Sequence, residues 1–148
     1  MLGTLARKLR ALGLDTAYYK SGDDGGLLSL AESSGRIILT SDRGLAARAA
    51  GKGAKAVLVT GRSDGERMRV LARALRGSKV PFAPGDSFCS VCGSTLQRVS
   101  KAEVSGKVPP AVVLRHRLFF MCASCGKIYW RGSHWKRLRA MALILRGG

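Results

Sequence analysis

Arg36-Ile-Ile-Leu-Thr-Ser-Asp42 decides the fold class. Its apolar, β-branched run is nearly continuous rather than alternating, the pattern of a strand buried on both faces of a parallel sheet. An aspartate stands at its C-terminal end. Before it, Gly35 stops a helical stretch carrying Leu27, Leu28, Leu30 and Ala31, and the loop ahead of that helix holds Asp23 and Asp24. After it come a short helix with Leu45, Ala46 and Ala49, a strand over residues 55–60, and a helix over about 64–76. That last helix turns Met68, Leu71, Ala72 and Leu75 inward and shares Arg69, Arg73 and Arg76 on its other face. Upstream, Leu2, Leu5, Ala6, Leu9 and Leu12 recur at helical spacing until Gly13, and residues 15–20 read as a short strand. Strands alternating with helices predict an α/β unit, a parallel sheet with flanking helices.

The periodicity breaks over residues 77–85, where glycine and two prolines accumulate, and places a domain boundary near residue 84. The expected organisation is an α/β domain over 1–84 and a second unit over 85–148, with β-like runs at 96–100 and 112–121 and a terminal helix over about 133–145. All four cysteines lie in the second unit, as Cys89-Ser-Val-Cys92-Gly93 and Cys122-Ala-Ser-Cys125-Gly126. Two such knuckles present four thiolates suited to tetrahedral Zn²⁺, and the glycine after each permits the tight turn. The spacer has room for two antiparallel strands, which predicts a zinc ribbon. A pair of disulfides or a redox motif is the alternative use of the same cysteines. A site closed by four thiolates is structural, not catalytic.

Charge bears on the partner. The chain has 26 Lys and Arg against 9 Asp and Glu, a net +17, and the surplus divides into +8 over residues 1–84 and +9 over 85–148. Both halves favour a polyanion, because neutralising phosphates releases counterions. In the second half Arg115, His116 and Arg117 fall on the expected strand, and Lys127, Tyr129, Trp130, Arg131, His134 and Trp135 follow the second knuckle. Aromatic faces flanked by guanidinium groups stack unpaired bases and hold their phosphates; packing of the ribbon against the terminal helix is the other role for Tyr129, Trp130 and Trp135. No stretch approaches the ~18 apolar residues of a membrane span, and charges stand where a signal peptide has its apolar run. The expectation is a cytoplasmic protein with no membrane partner.

Carboxylates are scarce, so their positions inform. Asp23, Asp24 and Asp42 converge on the sheet edge where ligands of open α/β folds gather, an arrangement suited to a divalent metal for phosphodiester cleavage. Each is also a natural helix cap. Asp64 and Glu66 read more simply as charges at a helix N-terminus.

A resemblance adds to this reading. Met1-Leu-Gly-x-Leu-Ala-Arg, Asp23-Asp24-x-x-Leu-Leu28, Gly35-Arg36-x-x-Leu-Thr-x-Asp42-Arg43, both Cys-x-x-Cys-Gly knuckles, Val108-Pro-Pro110 and Tyr129-Trp-Arg-Gly-Ser-His-Trp135 together resemble the Mut7-C family. The resemblance implies a PIN-like ribonuclease domain with a zinc ribbon. It maps an acidic Mg²⁺ or Mn²⁺ pocket onto Asp23 or Asp24 and Asp42, and recurrent basic positions near that pocket onto Arg7, Arg10 and Arg43. Members of that family usually begin with an apolar strand ending in aspartate, just ahead of the Met-Leu-Gly that opens this sequence. The expectation is therefore an N-terminally truncated domain, Met1 being internal to a longer chain that supplies the missing acid; lost catalysis is the alternative.

The expected function is metal-dependent endonucleolytic cleavage of RNA, with the zinc ribbon contributing Arg115, Arg117 and Arg131 to binding. A non-catalytic RNA-binding or adaptor module is the second reading, and a DNA-associated zinc-ribbon factor the third.

Overall fold

A computed structural model describes residues 2–77 and 87–147. The boundary expected near residue 84 lies outside them. The chain is a mixed α/β protein whose described residues gather in two units, one holding the stretch from Tyr18 and the chain's end from Leu143, the other holding Gly3–Ala17 and the stretch up to Ala142.

The first unit contains α2 (Asp24–Ser34), β1 (Ile38–Thr40), α3 (Arg43–Gly51), β2 (Ala56–Leu58) and α4 (Asp64–Ala74). As the apolar runs require, β1 and β2 pair in parallel, with Ile38 opposite Ala56 and Thr40 opposite Leu58. The parallel sheet has two strands. Leu28, Ala31, Ile38, Leu45 and Ala49 form its buried cluster, with Leu27, Ala54 and Ala56 packed against them. In α4, Met68, Leu71 and Ala72 are buried as their spacing predicts, and Ser63 and Glu66 close a capping box at its start.

The second unit begins with α1 (Leu2–Ala11), whose Leu5, Ala6 and Leu9 are buried, and continues with β3 (Leu96–Val99), α5 (Lys101–Val104), α6 (Pro110–Arg115), β4 (Phe119–Cys122) and β5 (Ile128–Trp130). The helix α7 (Trp135–Gly147) follows. Its sheet is antiparallel in the order β3-β4-β5, with Leu96 opposite Cys122 and Phe119 opposite Trp130. This is the ribbon the cysteine spacing predicts, with two short helices inserted between its first two strands.

Two local expectations are corrected. Residues 15–20 form no strand; the carbonyl of Thr16 accepts from the side chain of Arg10 instead of from a ladder neighbour. Residues 112–121 are not one β run, so Arg115, His116 and Arg117 do not lie on a strand. Pro110 opens α6 at its first position, where its fixed φ suits a helix and its missing N–H costs nothing. Arg115 ends that helix, His116 caps it, and the strand starts at Phe119.

Candidate functional site

The two cysteine knuckles fold by one local rule. Cys89 N–H donates to Ser94 O at 2.8 Å and Gly93 N–H to Cys89 O at 2.8 Å; in the second knuckle, Cys122 N–H donates to Lys127 O at 2.9 Å and Gly126 N–H to Cys122 O at 3.0 Å. Gly93 and Gly126 stand at φ 81° and 72°, the left-handed conformation that closes each turn. The turns bring all four sulfurs within 4.8 Å of one another. Cys89 Sγ lies 3.6 Å from Cys125 Sγ, and Cys92 Sγ 3.4 Å from Cys122 Sγ. Sulfurs about 2.3 Å from a tetrahedral Zn²⁺ stand about 3.8 Å apart, so the cage fits such an ion. Disulfides, at about 2.05 Å, are not formed: the four cysteines are free. Cys89, Cys92, Cys122 and Cys125 can therefore hold a metal ion such as zinc, and among the described residues they are the one such group of three or more.

The thiols feel their crowding. Burial pushes Cys89 up, but N–H groups of Cys92 and Val91, the Tyr129 hydroxyl and the Cys125 thiol outweigh it and bring it down to about 6. Hydrogen bonds from Ser94 lower Cys92. At Cys125 the Lys127 amide is overcome by desolvation and by the other three cysteines, which push it up to about 11. Like-charge thiolates resist ionising together, and a dication removes that conflict. Tyr129 supports the site from outside: its hydroxyl lies 3.1 Å from Cys89 Sγ and 3.1 Å from Ser90 Oγ. Burial raises it to about 12, so it stays protonated and able to donate.

The acidic residues gather less tightly. Asp23 caps α2, accepting from Gly25 N–H at 3.1 Å and Gly26 N–H at 2.8 Å with its two oxygens. Asp42 caps α3 through Oδ1, accepting from Gly44 N–H at 2.7 Å and Leu45 N–H at 3.1 Å, and neither cap bond uses Oδ2. Asp24 is ion-paired with Arg48. A Cβ placed on Gly44 would meet Arg48 Nη1 and Asp42 Oδ1, each at 3.2 Å. Arg48 therefore lies back over its own helix toward Asp42 while holding Asp24. Asp24 and Asp42 come to one edge with a guanidinium between them, and Asp23 is turned into its own helix. Arg48 was not among the expected site residues. Its signal was a glycine four residues earlier, which leaves room for a side chain leaning toward the helix N-terminus.

Of the expected basic residues, Arg43 is exposed beside Asp42, and Arg7, Arg115 and Arg117 are exposed. Arg131 stacks on Trp135, 4.8 Å from the ring centroid. Arg10 is buried, its guanidinium bonded to backbone carbonyls. No helix among the described residues is long and apolar enough to cross a membrane.

No curated protein and no solved structure matches this chain. A family model described as the Mut7-C RNAse domain matches residues 1–142, almost its full length, through both the α/β residues and the cysteine knuckles. The chain belongs to the Mut7-C RNAse domain family.

Proposed function

We propose that this chain is a metal-dependent ribonuclease that hydrolyses RNA phosphodiesters at the edge marked by Asp42 and Asp24, with a zinc-bound ribbon aiding RNA binding. The observation that carries the reading is the carboxylate of Asp42, which spends only Oδ1 on its helix cap, at the C-terminal end of β1 beside the Asp24–Arg48 pair. One or two carboxylates completed by substrate phosphate oxygens suit Mg²⁺ or Mn²⁺, and these residues fit that donor set once Arg48 releases Asp24. Such an ion supplies an activated water and neutralises charge on the phosphate. Asp42 Oδ1 stays committed to its cap, which fixes the carboxylate and aims Oδ2. Arg43 stands next to it for a phosphate oxygen. In the cysteine unit Arg115 and Arg117 offer exposed guanidinium groups to the RNA backbone, and Arg131 supplies a cation on an aromatic face.

The test is Mn²⁺-dependent cleavage of single-stranded RNA that disappears in Asp42→Asn while RNA affinity is retained. The second reading, a non-catalytic RNA-binding module, is favoured by Asp23 and Asp42 both serving as N-caps. RNA binding without turnover in the presence of Mn²⁺ would select it.

A further inference from the structure

The side chain of Arg10 is 7% exposed, and it is the one buried charged residue among those described. Its Nε donates to Thr16 O at 2.6 Å, and Nη1 donates to Ser90 O at 3.2 Å and Val91 O at 3.1 Å. Burying a cation is costly, so the position needs an explanation.

The accepting residues supply one. Ser90 and Val91 are the two residues between Cys89 and Cys92, so Arg10 holds the inside of the first metal-binding turn. A Cβ on Gly93 would lie 3.2 Å from Arg10 Nε and 3.4 Å from its Cζ, so the guanidinium lies against the glycine that closes the turn. On the other flank, Phe88 N–H donates to Arg10 O at 2.9 Å and Ser87 Oγ to Ala11 O at 2.8 Å. The Arg10 carbonyl also accepts from Gly13 N–H at 3.0 Å, and the Ser87 bond satisfies the Ala11 carbonyl in the last turn of α1. One residue thus ties the C-terminus of α1 to both sides of Cys89.

We propose that Arg10 is a positioning residue of the cysteine centre: it docks α1 onto the first knuckle and furnishes the counter-charge for a metal held by four thiolates, so that metal loading and the placement of α1 stabilise each other. This rests on the reading of Cys89, Cys92, Cys122 and Cys125 as a metal site. Four thiolates around a divalent ion carry a net charge of about −2, which answers the buried guanidinium. The linkage is reciprocal: whatever Arg10 adds to metal affinity, the metal adds to the docking of α1. The basic position beside the acidic pocket that the resemblance implies for Arg10 gives way to this internal role, and the exposed Arg7 is presented on a helix whose position depends on the metal.

The test uses the whole chain. Zinc affinity is measured by competition with a chromophoric chelator for wild type, Arg10→Met, Arg10→Lys and the charge-matched control Arg98→Met, whose side chain is exposed on β3. Amide exchange across α1 is measured in zinc-loaded and chelator-treated wild type. We expect Arg10→Met to bind zinc about tenfold more weakly, Arg10→Lys to recover part of the loss, Arg98→Met to match wild type, and zinc removal to deprotect α1. If Arg10→Met does not fold, Arg10→Lys and the wild-type exchange comparison carry the test. Zinc affinity in Arg10→Met or Arg10→Lys within twofold of wild type, or α1 exchange indifferent to zinc, overturns the proposal while leaving the metal site standing. Wild type that takes up no zinc overturns the metal reading and this proposal together.

Discussion

Arg48, in the middle of α3, grips Asp24 at the first residue of α2 and lies over Gly44 beside the Asp42 cap. Both partners are about half exposed, with side-chain accessibilities of 52% and 45%, and pairs of that kind add ~0–1 kcal/mol. Arg48→Met should therefore shift the melting temperature little. It should strengthen Mn²⁺ binding at the edge, because the competing cation is gone. Melting curves with a Mn²⁺ titration check both outcomes; a large loss of stability with unchanged Mn²⁺ affinity contradicts this account of the pair.

Asp42 allows cap and charge to be separated. Asparagine caps helices about as well as aspartate, so Asp42→Asn should fold and melt like wild type while losing RNA cleavage by a factor of ~100 or more, the scale of removing a group that organises transition-state charge. Asp42→Ala should also lose about 1 kcal/mol from the missing cap. Denaturant melts beside a cleavage assay distinguish the two variants.

Tyr129→Phe keeps the ring and deletes the hydroxyl 3.1 Å from Cys89 Sγ. Outer-shell donors of this kind typically change metal affinity by ~10–100-fold. Zinc competition should show at least the lower figure, with the Co²⁺-substituted protein retaining its tetrahedral spectrum.

Removing zinc with a chelator should lower the melting temperature, and Cys89→Ser should reproduce the effect without a chelator, since binding free energy at a structural site is folding free energy. Purified protein free of metal, melting identically in both forms, would sink the ribbon's metal assignment.

Acid should weaken two helix starts. Glu66 accepts from Arg62 N–H at 2.7 Å and Ser63 N–H at 3.3 Å, and these bonds hold its carboxyl below the ordinary 4.5. Glu103 is lowered in the same way by the Ser100 amide and then its hydroxyl. A carboxyl depressed on folding adds stability that is present above its unfolded value and lost as pH falls through the folded one. The contribution should be complete above about pH 4.5 and fade below it. Circular dichroism against pH should show wild type losing stability more steeply there than Glu66→Gln.

What could be read from the sequence alone was local. The two knuckles depend on a cysteine, a second cysteine three residues on and a glycine after it, and short-range hydrogen bonds built both as expected. The β1 and β2 runs declared themselves by continuous apolar character, and Glu66 as a charge at a helix N-terminus, which the structure completes as a capping box with Ser63. The β-branched valines of residues 112–113 read as strand, and Pro110 opening α6 outweighed their weak propensity.

The net charge of +17, the four-thiolate set and the acid at the tip of β1 were thus determined by the sequence itself. Only the tertiary structure decided how individual charges are used. Arg10 sits four residues after the buried Ala6 and so belongs to the inward face of α1, but the carbonyls that receive it lie about eighty residues further along. Asp24 and Arg48 meet because α2 and α3 flank the same strand, not because their spacing requires it. A charge's partner is a matter of distance in space, whereas a turn, a cap or a knuckle is a matter of distance along the chain.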